Sequence, residues 1–233
     1  SRIHPEKSTE PVLNRPAADF GQVLVIGAGP AGLFAALQLA ELGLKPLIIE
    51  RGSRVDERRQ EVAQFWQHGK LDPDSNMQFG EGGAGTFSDG KLTSRTQSPE
   101  MNKILSRLVD AGAPPEIMFD HRPHIGTDIL IEVVAALRNR IEQLGGQFRF
   151  NTRLEDWEQT TDVRISRIKL VNCRSEHGGN HEWLDAGLVF LACGHSARDT
   201  FALLQRKGAA LQSKAFAIGT RIEHPQELVN RMQ

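Results

Sequence analysis

The run QVLVIGAGPAG, Gln22 to Gly32, places G-x-G-x-x-G between an apolar stretch and the first turn of a helix pattern. Unbroken apolar residues from Val23 to Ile26 fit a parallel strand buried on both faces. A helix is predicted from Pro30, because the first helical turn has no use for the amide that proline lacks. Leu33, Ala36, Leu37 and Ala40 recur at helical spacing as its buried stripe, and Gly43 is placed to end it. PLIIE, Pro46 to Glu50, reads as the next strand and completes a βαβ unit. In such a unit Gly27 permits a tight turn, Gly29 lets the backbone approach a pyrophosphate, and Gly32 lets helix and strand pack closely. The amides around Pro30 and Ala31 then face the phosphates together with the positive end of the helix dipole. Glu50 stands 23 residues after Gly27, where a carboxylate can accept hydrogen bonds from ribose hydroxyls. Arg51 beside it either meets a 2′-phosphate or stands solvated at the strand end, the ordinary state of an arginine there.

Residues 52–126 follow no single period. RVDERRQEVAQFWQHG reads as a charged amphipathic helix, a glycine-rich stretch follows, and MNKILSRLVDAG reads as a short helix. Thr127 is expected to cap a longer helix with apolar positions at Ile129 or Leu130, Val133, Val134, Leu137, Ile141 and Leu144, ended by Gly145. QFRFN reads as a third strand. Beyond Asn151 the period changes: VRISRIKLVNC alternates, EHGGNHEW holds a hairpin turn, and GLVFLAC reads as another buried strand. An NAD-type Rossmann domain would continue with further βα units. An antiparallel meander after the third strand is instead the plan of FAD-binding domains of the glutathione-reductase type. The fold class is therefore expected to be α/β. It would be a Rossmann-like FAD/NAD(P)-binding domain with a parallel sheet and an antiparallel β-meander, plus the start of a second domain. Residues 1–20 read as a linker and 21–212 as the FAD-binding domain, with the glycine-rich region inserted at 52–126. Residues 213–233 read as the beginning of a substrate domain.

The stretch GEGGAGTFSDGKL, Gly80 to Leu92, contains the P-loop spacing G-x-x-x-x-G-K from Gly85, but Leu92 stands where a magnesium-binding Ser or Thr is needed. NMQFGEGGA before it is no buried strand, so the triphosphatase reading fails. The stretch suits a second loop whose amides face a pyrophosphate or a flavin ring, with Thr86, Ser88 and Lys91 as further donors. A side chain at Gly85 is expected to fill the space of the approaching cofactor.

DPDSNMQFGEGGAGTFSDGKL, together with GAGPAGLFAAL, RPHIGTDIL and LACGHSARDTF, resembles the bacterial FAD-dependent dehydrogenase family, also described as NAD(FAD)-utilising oxidoreductases. The resemblance runs from about Val23 through nearly the whole chain. It implies that Gly27, Gly29, Gly32 and Glu50 hold the ADP half of FAD. It also implies that Gly83, Ala84, Gly85 and Thr86 lie along the pyrophosphate and flavin. By the same resemblance Leu154 meets the adenine through its backbone, and Gly194 sits in the turn that closes the FAD domain. Members are longer at both ends, which agrees with a chain that begins without Met and stops at ELVNRMQ within a helix-like pattern.

The rest of the sequence narrows the function by exclusion. A net charge of -1 disfavours nucleic acid or an anionic membrane as the main partner. No apolar run approaches the roughly 18 residues of a membrane helix. The polar start SRIHPEKSTEP has no signal-peptide pattern, and two cysteines, Cys173 and Cys193, fit a reducing, cytoplasmic compartment. Absence of tyrosine removes phenolic acid–base chemistry. Gly194-His195-Ser196 approaches a nucleophile elbow but lacks its second glycine. Cys173, His177 and His181 straddle a hairpin turn with no fourth zinc ligand. His124 and Asp128 are explained by a loop leading into a helix as well as by a place near the flavin. The expected function is an FAD-dependent oxidoreductase working by two-electron or hydride transfer on a small-molecule substrate, its catalytic residues undetermined. NAD(P)H would be at most a transient reductant. The alternative is a non-catalytic nucleotide-binding or redox-sensor module. The chain is expected to be an incomplete fragment that lacks the C-terminal part of the same protein and self-associates.

Overall fold

The computed structural model describes residues 20–87, 99–120, 123–162, 164–175, 180–216, 219 and 222–232. The expected linker lies, apart from Phe20, outside the described residues, as do Ser88, Lys91 and His177.

Strand β1 (Val23–Ile26) is buried at all four positions and leads into helix α1 (Pro30–Glu41). Strand β2 (Leu47–Ile49) follows, then helices α2 (Val55–His68), α3 (Pro99–Asp110) and α4 (Thr127–Gln143), then strand β3 (Gln147–Arg149). The chain next forms β4 (Thr152–Gln159), β5 (Ile165–Asn172) and β6 (His181–Asp185). It returns through β7 (Leu188–Leu191) to α5 (Arg198–Arg206), with α6 (Gln226–Met232) last. One sheet has the order β3-β2-β1-β7, and all its pairings are parallel. The other, β4-β5-β6, is antiparallel.

Alternation along β1 explains why every residue in it is apolar. Val23 and Val25 join a core with α1, α3 and α4, whereas Leu24 and Ile26 join Leu154, Trp157, Ile168, Leu170 and Leu203. Helices cover one face of the parallel sheet; the meander and α5 cover the other. Burial of both faces fixes the register, and the carboxyl ends of β1 and β2 open at one edge, where an open α/β sheet receives ligands.

Several elements differ from the sequence expectation. Thr127 is the first residue of α4 and Gly126 is its N-cap, without a side-chain cap. Of the two expected starting positions of that helix's apolar stripe, Leu130 packs against the core, half-buried, and Ile129 is exposed; Ile131 is its first buried residue. β4 carries four charges in eight residues and no alternation. A bulge between Leu154 and Asp156 shifts its register, which puts Leu154 and Trp157 on one buried face at a spacing of three. β7 pairs only with β1 among the described strands, so Phe190 and Leu191 are exposed rather than buried.

Candidate functional site

The first glycine turn is shaped by backbone crowding. Gly27 has φ +105°, donates its N–H to the Ile49 carbonyl at 2.7 Å, and has no room for a side chain against the Ala192 carbonyl. A Cβ at Gly32 would run into the Gly27 carbonyl, so α1 sits on the turn at a distance only glycine allows. α1 starts at Pro30 with Gly29 as its N-cap and no side-chain cap, which leaves its first amides available to an anion.

A second loop is laid against this turn. Gly82 donates to the Ala28 carbonyl at 2.8 Å, and a Cβ at Gly83 would lie 3.1 Å from Gly29 Cα. The fully buried Arg58 of α2 shapes the loop from behind, donating to the carbonyls of Asn76 at 2.7 Å, Met77 at 3.0 Å and Glu81 at 2.8 Å. Gly80, with φ +120°, passes so close that any side chain would strike Arg58. Glu50 binds the loops together: its carboxylate accepts the N–H groups of Ala28 at 2.7 Å, Gly52 at 2.9 Å and Gly80 at 3.0 Å. A carboxylate has about four acceptor positions, so these three donors leave one open. Glu81 is wholly buried and accepts from Val55 N–H at 2.7 Å and Arg138 at 2.6 Å. Burial pushes its carboxyl up to about 7, against the opposing pull of Val55 and Arg138.

Between the two loops lies a cavity of about 410 Å³, within the usual range for ligand sites. Gly27, Gly29, Pro30, Ala31, Glu50 and Arg51 line one side; Gly83, Ala84, Leu154 and Gly194 line the others. Gly32 supports the turn from within. Gly85 and Thr86 are not in the wall: Gly85 is exposed, and the Thr86 hydroxyl turns inward toward Gly82 and has no hydrogen-bond partner. Leu154 presents a buried side chain from β4. Gly194, at φ +72°, turns the chain at the end of β7.

The cavity's chemistry is that of binding. Cys193 lines it, but burial raises its thiol. Burial also pushes Cys173 up to about 12. Ser196 donates to Gln78 at 3.0 Å and lies 3.4 Å from His195. Among the described residues no cluster of His, Cys, Asp and Glu suits a metal, and no helix is long and apolar enough to cross a membrane.

Sequence reasoning missed Arg58, Glu81, Arg153 and Asp199. Arg58 had a signal, since Val55, Arg58 and Val62 fall on one helical stripe, and all three are buried. Arg153 lines the cavity from β4, and Asp199 receives both Arg51 and Arg153. Those contacts join positions far apart in the chain and leave no local pattern.

Residues 21–62 match the family described as FAD binding domain, a segment running from β1 into α2. That segment is thus similar to an FAD-binding domain. An uncharacterized protein of Clostridium beijerinckii is 45% identical over 225 residues, a match that takes in 97% of this chain and 39% of that protein. The chain therefore spans about two fifths of the length of this curated relative. The crystal structure of Thermovibrio ammonificans THI4 shares the fold with a TM-score of 0.53 at 18% identity, over 82% of this chain and 63% of that one.

Proposed function

We propose that this chain is the cofactor-holding part of an FAD-dependent oxidoreductase. The observation that carries the reading is the meeting of two glycine loops, backbone to backbone, at the uncapped N-terminus of α1 within the matched FAD-binding segment. The residues present fit such a cofactor. Gly29 and Gly83 leave a cradle that a side chain would fill, and the first amides of α1 can receive a pyrophosphate. Glu50 keeps one acceptor position for the adenosine ribose and uses the rest to hold both loops in place. Leu154 and Leu204 supply apolar wall on the side of the meander and α5. Bound FAD supplies two-electron or hydride chemistry, and the protein contributes binding, orientation and exclusion of water. The substrate is a small molecule that reaches the flavin through parts of the protein beyond this segment, with NAD(P)H as a transient reductant.

Titration of the purified protein with FAD, followed by flavin fluorescence, tests the reading. Saturable binding that ADP competes away is expected, with the bound flavin bleached by NADH or NADPH in the longer protein. Failure of ADP to compete would overturn the placement of the cofactor.

A further inference from the structure

Arg51 is the residue whose role the sequence leaves open, and its partner lies 148 residues away. Its Nη2 donates to both carboxylate oxygens of Asp199 on the first turn of α5, at 2.9 and 2.8 Å. The Phe79 ring lies 4.4 Å from the guanidinium, and Asp74 approaches it at 3.8 Å. Arg153 of β4 donates to the same Asp199 at 3.3 Å. Both arginines line the cavity, and Asp199, which binds both, is not among its lining residues. Arg51 follows Glu50 at the end of β2, where dinucleotide folds place an arginine to accommodate a ribose 2′-phosphate. Two guanidinium groups there would form a strong receptor for a phosphate dianion. A single carboxylate shared between them offsets one of their two charges and holds Nη2 of Arg51 with both its oxygens, and it would repel a dianion brought beside it.

We infer that Asp199 sets the ribose specificity of the site: by occupying Arg51 and Arg153, it restricts the cavity to an adenosine diphosphate whose 2′-hydroxyl is free. Asp199 is thus a positioning residue that acts through the two arginines, and the inference rests on the dinucleotide reading of the cavity.

Calorimetric titration with ADP-ribose and with 2′-phospho-ADP-ribose tests the assignment. The wild type should bind ADP-ribose more tightly by about tenfold. Asp199→Asn should tighten the 2′-phosphorylated ligand by about tenfold or more, and change ADP-ribose affinity by less than about threefold. Adding Arg51→Gln to that variant should abolish the gain. An Asp199→Asn protein that binds ADP-ribose normally with an unchanged ratio of the two affinities would overturn the assignment. So would a wild type that prefers the 2′-phosphorylated ligand, whatever the variants do. No binding of ADP-ribose or FAD to the wild type would instead reject the dinucleotide reading itself, and the inference with it.

Discussion

Among the described residues, Arg58 directs its donors to backbone carbonyls and not to a carboxylate in direct contact. Burial lowers its pKa to about 10, with the charges of Glu50, Glu61 and Glu81 opposing, so it stays protonated near neutrality. Lysine cannot reproduce a planar fork over three carbonyls. Arg58→Lys should therefore lose on the order of 3 kcal/mol of stability, measured by urea unfolding; a variant as stable as the wild type would show that the loop holds its shape alone. Glu50 makes a similar case. Glu50→Gln turns an amide group toward backbone N–H donors and should cost about 1–3 kcal/mol, with FAD affinity falling in parallel. Glu81 ties pH to stability. Its carboxyl is raised from 4.5 to about 7, so across that window the folded protein holds a proton that the unfolded chain has lost. Its contribution is complete below the unfolded value and disappears as pH rises through about 7, a change on the order of 3 kcal/mol. The unfolding free energy of the wild type minus that of Glu81→Gln should fall between about pH 5 and pH 8. A difference that stays level or rises would contradict the raised pKa.

At the scale of elements, the two glycine loops differ in how far the sequence reveals them. The turn between β1 and α1 was readable because each glycine has a separate steric reason and the flanking periods change on either side. In GEGGAG the glycines look alike, and only the fold separates their roles. Gly83 has φ +68° and would push a Cβ to 3.1 Å from both Gly29 Cα and Pro30 Cδ, whereas a Cβ at Gly85 meets nothing within 4 Å. Gly83→Ala should therefore cost about 1–3 kcal/mol and weaken FAD, and Gly85→Ala should stay within about 0.5 kcal/mol. Thermal unfolding of the pair checks this, and equal effects would mean that the loops do not meet as described. The same limit applies to strands. β4 escaped the period-two pattern because its bulge moves Trp157 onto the face of Leu154. β7 has the composition of a central strand but stands at an edge of the described sheet, and composition does not report how many neighbours a strand has.

Across the whole molecule, the parallel sheet brings the ends of β1, β2 and β7 together, and the glycine loop, the start of β4 and α5 close around them. Large apolar side chains also stand in solvent: Phe119 is 87% exposed, Phe216 82% and Met232 80%. Surface of this kind favours association. Sedimentation velocity should show this 25.8 kDa chain forming species larger than a monomer at micromolar concentration, and a monomer at all concentrations would refute that expectation. The central claim, that FAD lies with its ADP half between the α1 turn and the glycine loop, is tested most directly by hydrogen exchange measured with and without FAD. Exchange should slow in peptides covering 26–33, 49–54, 78–84 and 192–196, with little change in β5 and β6. FAD that binds while those four segments exchange at their original rates would contradict the claim.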